Sequence, residues 1–242
     1  MAASLRALHC SDLHLHEVQF EHGIETAGMI ATAARCQQAD VVLLAGDLFD
    51  AATQPASFVS RIAEQLAEVD APLVAIPGNH DIAYSPRDGD AIGDLFAALG
   101  GSSTLLRADD GESALVADGR IRVWGRGMLE HTRANDPLGG LPAMPLDGAW
   151  NIALAHGELT RSLTSPFSSP IVLDRHAEVL GNVSYLALGH HHAPAAHAIG
   201  ATAVQYSGSA STVVGAGTVA VVDYDGEQTV SAVHQLPDLV DC

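Results

Sequence analysis

The sequence contains no lysine. Its basic charge comes from 11 arginines against 29 acidic residues, a formal net charge of −18 over 242 residues. Such a chain advertises no basic track for neutralising a run of phosphates, which argues against tight, independent binding of long duplexes and leaves DNA a possible but disfavoured partner. Cysteine is scarce as well. Cys10, Cys36 and Cys242 have neither an even count nor a CxxC spacing, which excludes a disulfide framework. Cys10 and Cys36 read as small buried hydrophobes, and the compartment as reducing and cytoplasmic. A long smooth apolar run is also missing. Residues 179–222 carry no Asp, Glu or Arg, but Gly181, Gly189, Pro194, three consecutive histidines and a Ser/Gly cluster interrupt them. The smoothest part, 212–222, is too short to cross a bilayer, and residues 1–10 lack the apolar stretch of a signal peptide. Hydrophobic residues make up 48% of the chain and charged ones 17%, a balance that excludes disorder and can bury a substantial core.

The first hundred residues alternate short apolar runs with helical patterns. Residues 5–9, 41–45 and 73–76 read as buried strands, being short, largely apolar and followed closely by Gly, Asp or Pro. Between them, residues 23–38 and 55–69 have helical periodicity, with Pro55 expected in the first turn of the second helix and Phe58, Ile62, Leu66 and Val69 on its inner face. This βαβαβ opening implies parallel strands with right-handed crossovers. In the second half, Asp118-Gly119 and Asp225-Gly226 each sit between apolar runs as hairpin turns, and residues 151–155 and 185–188 are again buried strands. The expectation is a single domain over residues 1–242, an α/β fold of mixed sheets with helices on the outer faces, and a long loop or lid over residues 135–148.

Polar side chains collect where the apolar strands end. In order they are Asp12-Leu13-His14, Gly46-Asp47-Leu48-Phe49-Asp50, Gly78-Asn79-His80-Asp81, His156-Gly157 and Gly189-His190-His191-His192. The downstream strand ends are where an open α/β sheet forms its ligand crevice. One Asp-x-His means little; five such places in this order mean a metal centre. Carboxylate, imidazole and a single amide oxygen suit Mn, Fe or Zn better than an all-oxygen Ca or Mg shell or a thiolate Zn site. Seven ligands exceed one tetrahedral ion and suit two ions that share a bridging carboxylate. His190 and His192, two apart, point the same way in extended backbone, which leaves His191 a spectator. His9, His16, His22, His131, His176, His197 and His234 have no partners at ligand spacing and read as surface or packed residues. The Ser207–Ser211 turn has no G-x-S-x-G elbow and reads as backbone geometry near the site.

The series DxH, GDxxD, GNHD, H and GHxH resembles the signature of the calcineurin-like metallophosphoesterases along nearly the whole chain. More narrowly, GDLFD, IPGNHD, YLALGHHHAP and YSGS are similar to the nuclease subunit of the bacterial SbcCD complex and to related DNA-repair exonucleases. The resemblance implies a four-layer α/β/β/α sandwich and a phosphoester hydrolase with two divalent ions, Mn before Fe or Zn. It implies that Asp12, His14 and His192 hold one ion, Asn79, His156 and His190 the other, and that Asp47 bridges them. By the same resemblance His80 is the catalytic acid, Asp81 orients it, and Asp50 supports the Gly46-Asp47 loop from behind the ligands. His16 stands where the nuclease relatives usually carry Gly, so the first loop is expected to be shaped differently. Those nucleases continue into a DNA-capping domain and a segment for an ATPase partner, whereas this chain ends at Cys242. The readings that follow are a phosphoesterase, with phosphodiesters ahead of monoesters, for small or nucleotide-like substrates; a nuclease that needs a partner to present DNA; and a scaffold that has lost its site. The complete ligand set counts against the last.

Overall fold

The computed structural model describes residues 4–101, 103–160 and 168–242. Its frame is a pair of six-stranded mixed sheets packed face to face. In the first, β1 (Leu5–Cys10), β2 (Val41–Ala45), β3 (Leu73–Ile76) and β4 (Ser103–Leu105) run parallel in that order. The hairpin β13 (Thr218–Tyr224) and β14 (Thr229–Gln235) adds to the β1 edge with antiparallel pairing. In the second, β6 (Ile121–Gly125), β7 (Trp150–His156), β10 (Tyr185–Gly189) and β12 (Thr202–Tyr206) are parallel neighbours. The strands β5 (Glu112–Val116) and β11 (Ala195–Ile199) close its edges antiparallel. A separate pair, β8 (Glu158–Thr160) and β9 (Pro170–Val172), stands beside it.

The period-2 pattern of the strands sorts side chains between layers. Leu5, Ala7, Val41, Leu43, Val74 and Ile76 face the second sheet, where they meet Ile121, Val123, Trp150, Ile152 and Leu154. Their neighbours Leu8, Cys10, Val42, Leu44 and Ala75 face the opposite side, against the helices. That outer layer consists of α1 (Phe20–Cys36), α2 (Ala56–Leu66) and α3 (Ala91–Leu99). α2 buries Phe58, Val59, Ile62, Ala63 and Leu66, a helical stripe in which each large side chain contributes about 1.5–3 kcal/mol by leaving water. Among the described residues, the far face of the second sheet is covered by α4 (Leu173–Leu180) and by the irregular segment after β6, whose Leu138, Leu141 and Met144 are buried. Residues 135–148 thus form the long loop expected there, pinned to the sheet by these side chains. The result is a mixed α/β fold of two mixed sheets flanked by helices.

Several local expectations need correction. Pro55 is the N-cap of α2, in extended conformation, and not part of its first turn. α1 begins before Gly23 because a short 3-10 turn, Glu17–Gln19, leads directly into it; His16 caps that turn by accepting a hydrogen bond at Nδ1 from the Val18 amide, 3.0 Å. Cys36 is not a buried hydrophobe. It is joined to Cys242 with Cα atoms 5.4 Å apart, while Cys10 remains free and buried. The cysteine argument for a reducing compartment falls with that bridge. A cross-link over a sequence separation of 206 restricts the unfolded chain strongly. Cys36→Ser is therefore expected to cost about 2–4 kcal/mol, read as a lower denaturation midpoint than wild type without reductant and an equal one with it. Equal midpoints in both conditions would show that the bridge contributes nothing. No helix among the described residues is long and apolar enough to cross a membrane.

Candidate metal centre

The downstream ends of β1, β2 and β3 in one sheet and of β7 and β10 in the other meet at the same edge of the sandwich. Gly189 lets them touch, since a Cβ there would run into the Ala45 carbonyl, and at Gly46, with φ +88°, a Cβ would strike the His156 ring. The loops after β1 and β2 then run side by side: Asp12 N donates to Gly46 O (3.0 Å), His14 N to Asp47 O (3.0 Å) and Leu15 N to Leu48 O (2.8 Å). Asp12, His14, Asp47 and His190 all have positive φ, at 52°, 47°, 52° and 96°. For residues other than glycine that conformation costs about 1–3 kcal/mol each and marks a site held by its surroundings. Its use here is visible in the burial pattern: Leu13 and Leu15 turn into the helix-side core while Asp12 and His14 turn toward the strand ends.

All seven residues singled out as ligands come together. His14 Nε2 lies 3.2 Å from His192 Nε2 and 3.8 Å from Asp47 Oδ2, and His192 Nε2 lies 3.8 Å from Asp12 Oδ1. On the other side, His156 Nε2 is 3.3 Å from Asp47 Oδ2 and 3.2 Å from Asn79 Oδ1, which is 3.1 Å from His190 Nδ1. Among the described residues three metal-type groups result, Asp12/His14/His192, Asp47/His156/His190 and the more exposed His14/Asp50/His80, with Asp47 between the first two. The Asp12 carboxylate also accepts the His190 amide at 3.0 Å on both oxygens, tying β10 to β1.

The tautomers decide what this cluster lacks. His14 Nδ1 faces the Asp50 carboxylate at 3.0 Å, His192 Nδ1 the Val214 carbonyl at 3.3 Å, and His156 Nδ1 the Ala45 carbonyl at 2.8 Å. Each of those oxygens accepts, so each Nδ1 carries the hydrogen, and in their neutral forms His14 and His192 present Nε2 lone pairs inward, whereas His156 Nε2 faces the Asp47 carboxylate at 3.3 Å. His14 and His192 thus bring two lone pairs together among carboxylates, an arrangement that a bound cation would satisfy. The donor set fits divalent metal ions.

The electrostatics set His156 apart from His190. Burial drives the His156 imidazole down, but the Asp47 carboxylate more than compensates and holds it at about 9. Burial in turn pushes Asp47 up and His156 outweighs it, leaving Asp47 below the ordinary carboxylate range. His190 is pushed down to about 4, first by burial and then by the His156 charge, so it stays neutral and ligand-ready.

Three side chains differ from expectation. Asp81 does not orient His80: its carboxylate accepts the amides of Leu48 (3.1 Å), Phe49 (2.9 Å) and Gly78 (2.9 Å), is only 3% exposed, and braces the β2 and β3 loops. Burial and then the Asp47 charge push it up to about 7 against those three bonds. In a tight turn neighbouring side chains diverge, and adjacency in the sequence misled. Asp50 fills the orienting place. Its backbone carbonyl accepts from His80 Nδ1 (3.0 Å), its carboxylate lies 3.6 Å from the same nitrogen, and it also receives His14 Nδ1. His190 and His192 do both reach the cluster, with His191 turned onto Tyr206, but the strand has ended at Gly189 and the positive φ of His190 produces the geometry. The sequence reading missed His131, whose ring lies 5.2 Å from that of His190 and whose Nδ1 meets Ser169 Oγ at 3.0 Å. Nothing in the local sequence signals it, because only the fold brings that loop to the strand ends. The Tyr-Ser-Gly-Ser turn works as backbone geometry: Ser209 Oγ donates to Asp12 O at 2.6 Å.

Among family models, that of the calcineurin-like phosphoesterases matches residues 5–194. Solved structures similar in fold include TT1561 of Thermus thermophilus, at 14% identity and a TM-score of 0.63, covering 95% of this chain and 99% of that one. An archaeal phosphodiesterase is similar at 16% identity and a TM-score of 0.53, with 95% and 100% covered. A dimetal phosphatase from Danio rerio is similar at 11% identity and a TM-score of 0.56, with 94% and 98% covered. Comparison with curated proteins finds no match.

Proposed function

The chain belongs to the calcineurin-like phosphoesterase family, and from that premise we propose that it is a two-metal phosphodiesterase acting on small or nucleotide-like substrates. In this reading Asp12, His14 and His192 hold one divalent ion, Asn79, His156 and His190 the other, and Asp47 serves both, with Mn ahead of Fe or Zn for this donor set. The observation that carries it is the His14–His192 contact, where two ring nitrogens held as acceptors stand 3.2 Å apart. Bound there, the ions would polarise the phosphoryl oxygens and acidify a water for in-line attack.

The remaining work falls to the chain's own groups. His80 is anchored twice, by its amide on Asp47 Oδ1 (2.8 Å) and by Nδ1 on Asp50 O, and its side chain is 42% exposed. Nε2 is thereby left to face solvent and substrate, where the protonated ring can deliver a proton to the leaving oxygen with the Asp50 carboxylate beside it. Asp50 also fixes the His14 tautomer, so one carboxylate couples ligand and acid. Against DNA as the free chain's substrate stands the charge of −18 without lysine, which offers no backbone track around the crevice.

The test is an activity panel with Mn²⁺ on cyclic nucleotides, aryl phosphodiesters and monoesters, and single- and double-stranded DNA. Turnover of small diesters, abolished by chelation and restored by Mn²⁺, is expected, with little on duplex DNA. Efficient metal-dependent degradation of duplex DNA, with tight binding at physiological salt, would overturn the substrate class and favour the nuclease seen in the motif resemblance.

A further inference from the structure

Beside His80 lies a cavity of about 350 Å³ lined by Asp50, Thr53, Asn79, His80, Ile82, Tyr84 and Asp88 among others. It is contiguous with the centre through Asn79 and His80, and its volume is at the lower end for a small-molecule site. Its wall is unusual in one respect. Tyr84 is 67% exposed, yet it is anchored at both ends: its hydroxyl donates to Asn79 O at 3.0 Å and its amide to Asp88 Oδ2 at 2.9 Å. Asp88 accepts the Ser85 amide as well, at 2.8 Å, and the Gly89 amide is held by Thr53 Oγ1 at 2.7 Å. An aromatic face is thus held open to solvent next to the one imidazole placed to protonate a departing oxygen.

We propose that this cavity receives the leaving group, and that Tyr84 is its stacking wall, selecting an uncharged flat ring such as the base of a single nucleoside. The proposal rests on the phosphodiesterase reading above. Position argues for the leaving side, because the group that takes a proton from His80 must lie on the His80 side of the phosphorus. Ring chemistry argues for the base, since a fixed aromatic face with a polar tip gives a π-surface at little cost in side-chain entropy. Charge argues for its neutrality: among the described residues Asp50 and Asp88 line the cavity and no arginine does, so a leaving group with a further phosphate meets like charge there. The cavity therefore accepts one nucleoside and rejects a continuing strand.

The Mn²⁺-loaded full chain would be titrated with adenosine and with methyl β-riboside by calorimetry, alongside hydrolysis of bis(p-nitrophenyl) phosphate. Adenosine is expected to bind and the riboside not. Tyr84→Phe, which keeps the ring and the amide anchor on Asp88 but loses the hydroxyl anchor on Asn79, should bind more weakly than wild type and more tightly than Tyr84→Ala or Tyr84→Leu, which should weaken binding by about five- to hundredfold and raise KM for the aryl diester. Absence of adenosine binding in wild type, or unchanged binding in Tyr84→Ala, would overturn the pocket even where the diester is hydrolysed. Failure to hydrolyse any ester would instead overturn the phosphodiesterase reading and leave the binding result standing by itself.

Discussion

Asp47→Ala is expected to abolish turnover and to leave well under two metal ions per chain, whereas His192→Ala should keep about one. The difference follows from what each side chain touches. His192 meets only the group formed with Asp12 and His14. Asp47 Oδ2 faces His156 at 3.3 Å and His14 at 3.8 Å, one from each group, while Oδ1 accepts the His80 amide at 2.8 Å. Its removal takes a ligand from both ions, loosens the turn carrying Asn79 and His80, and leaves His156, 1% exposed, without the carboxylate that sustains its charge. Asp47→Asn separates these effects, because an amide oxygen can still accept from His80 but offers the metals no charge. It should therefore keep the fold better than Asp47→Ala and still fall short of two ions. Elemental analysis of purified protein decides the matter; full occupancy in Asp47→Ala would sink the bridging role.

What was legible in the sequence, and what was not, divides along local against long-range causes. The strands β1, β2, β3, β7 and β10 show themselves because a doubly buried strand is a short apolar run, and because the chain must turn sharply into polar residues where it ends. α3 is not among the expected helices: it is only nine residues long and contains Gly93, although Asp90 caps it and Ile92, Leu95 and Phe96 form a buried stripe. β11 and β12 were hidden in the alanine- and histidine-rich stretch after the metal-type motif, where hydrophobic periodicity is weak. The Cys36–Cys242 bridge depends on the last residues packing against the end of α1, a contact with no local signature. Around the centre, residue types at strand ends were enough to assemble the ligand cluster, since the parallel sheets bring those ends together. The partner of His80 was a different matter: the choice between Asp50 and Asp81 turns on which way two side chains point in tight loops, and spacing carries no such information.

That choice makes the second large effect specific. His80→Ala should lower turnover of a diester with a poor leaving group by about 10²–10⁴-fold, the usual contribution of a general acid, with metal content unchanged. The ring is 42% exposed, its described bonds are to Asp47 and Asp50, and it belongs to neither Asp12/His14/His192 nor Asp47/His156/His190, so those two groups keep every member without it. The deficit should shrink toward unity as the leaving alcohol becomes more acidic, because an acidic phenol departs without a proton. Asp50→Ala should behave differently. It removes the single carboxylate oxygen that lies 3.0 Å from His14 Nδ1 and 3.6 Å from His80 Nδ1, so metal affinity should fall by about 10–100-fold together with the rate. Asp81→Ala, in contrast, should damage folding through the three amides it leaves unpaired, without changing the leaving-group dependence. A His80→Ala deficit equal for good and poor leaving groups would remove the acid from this site and leave His80 as a residue that binds the phosphoryl oxygens.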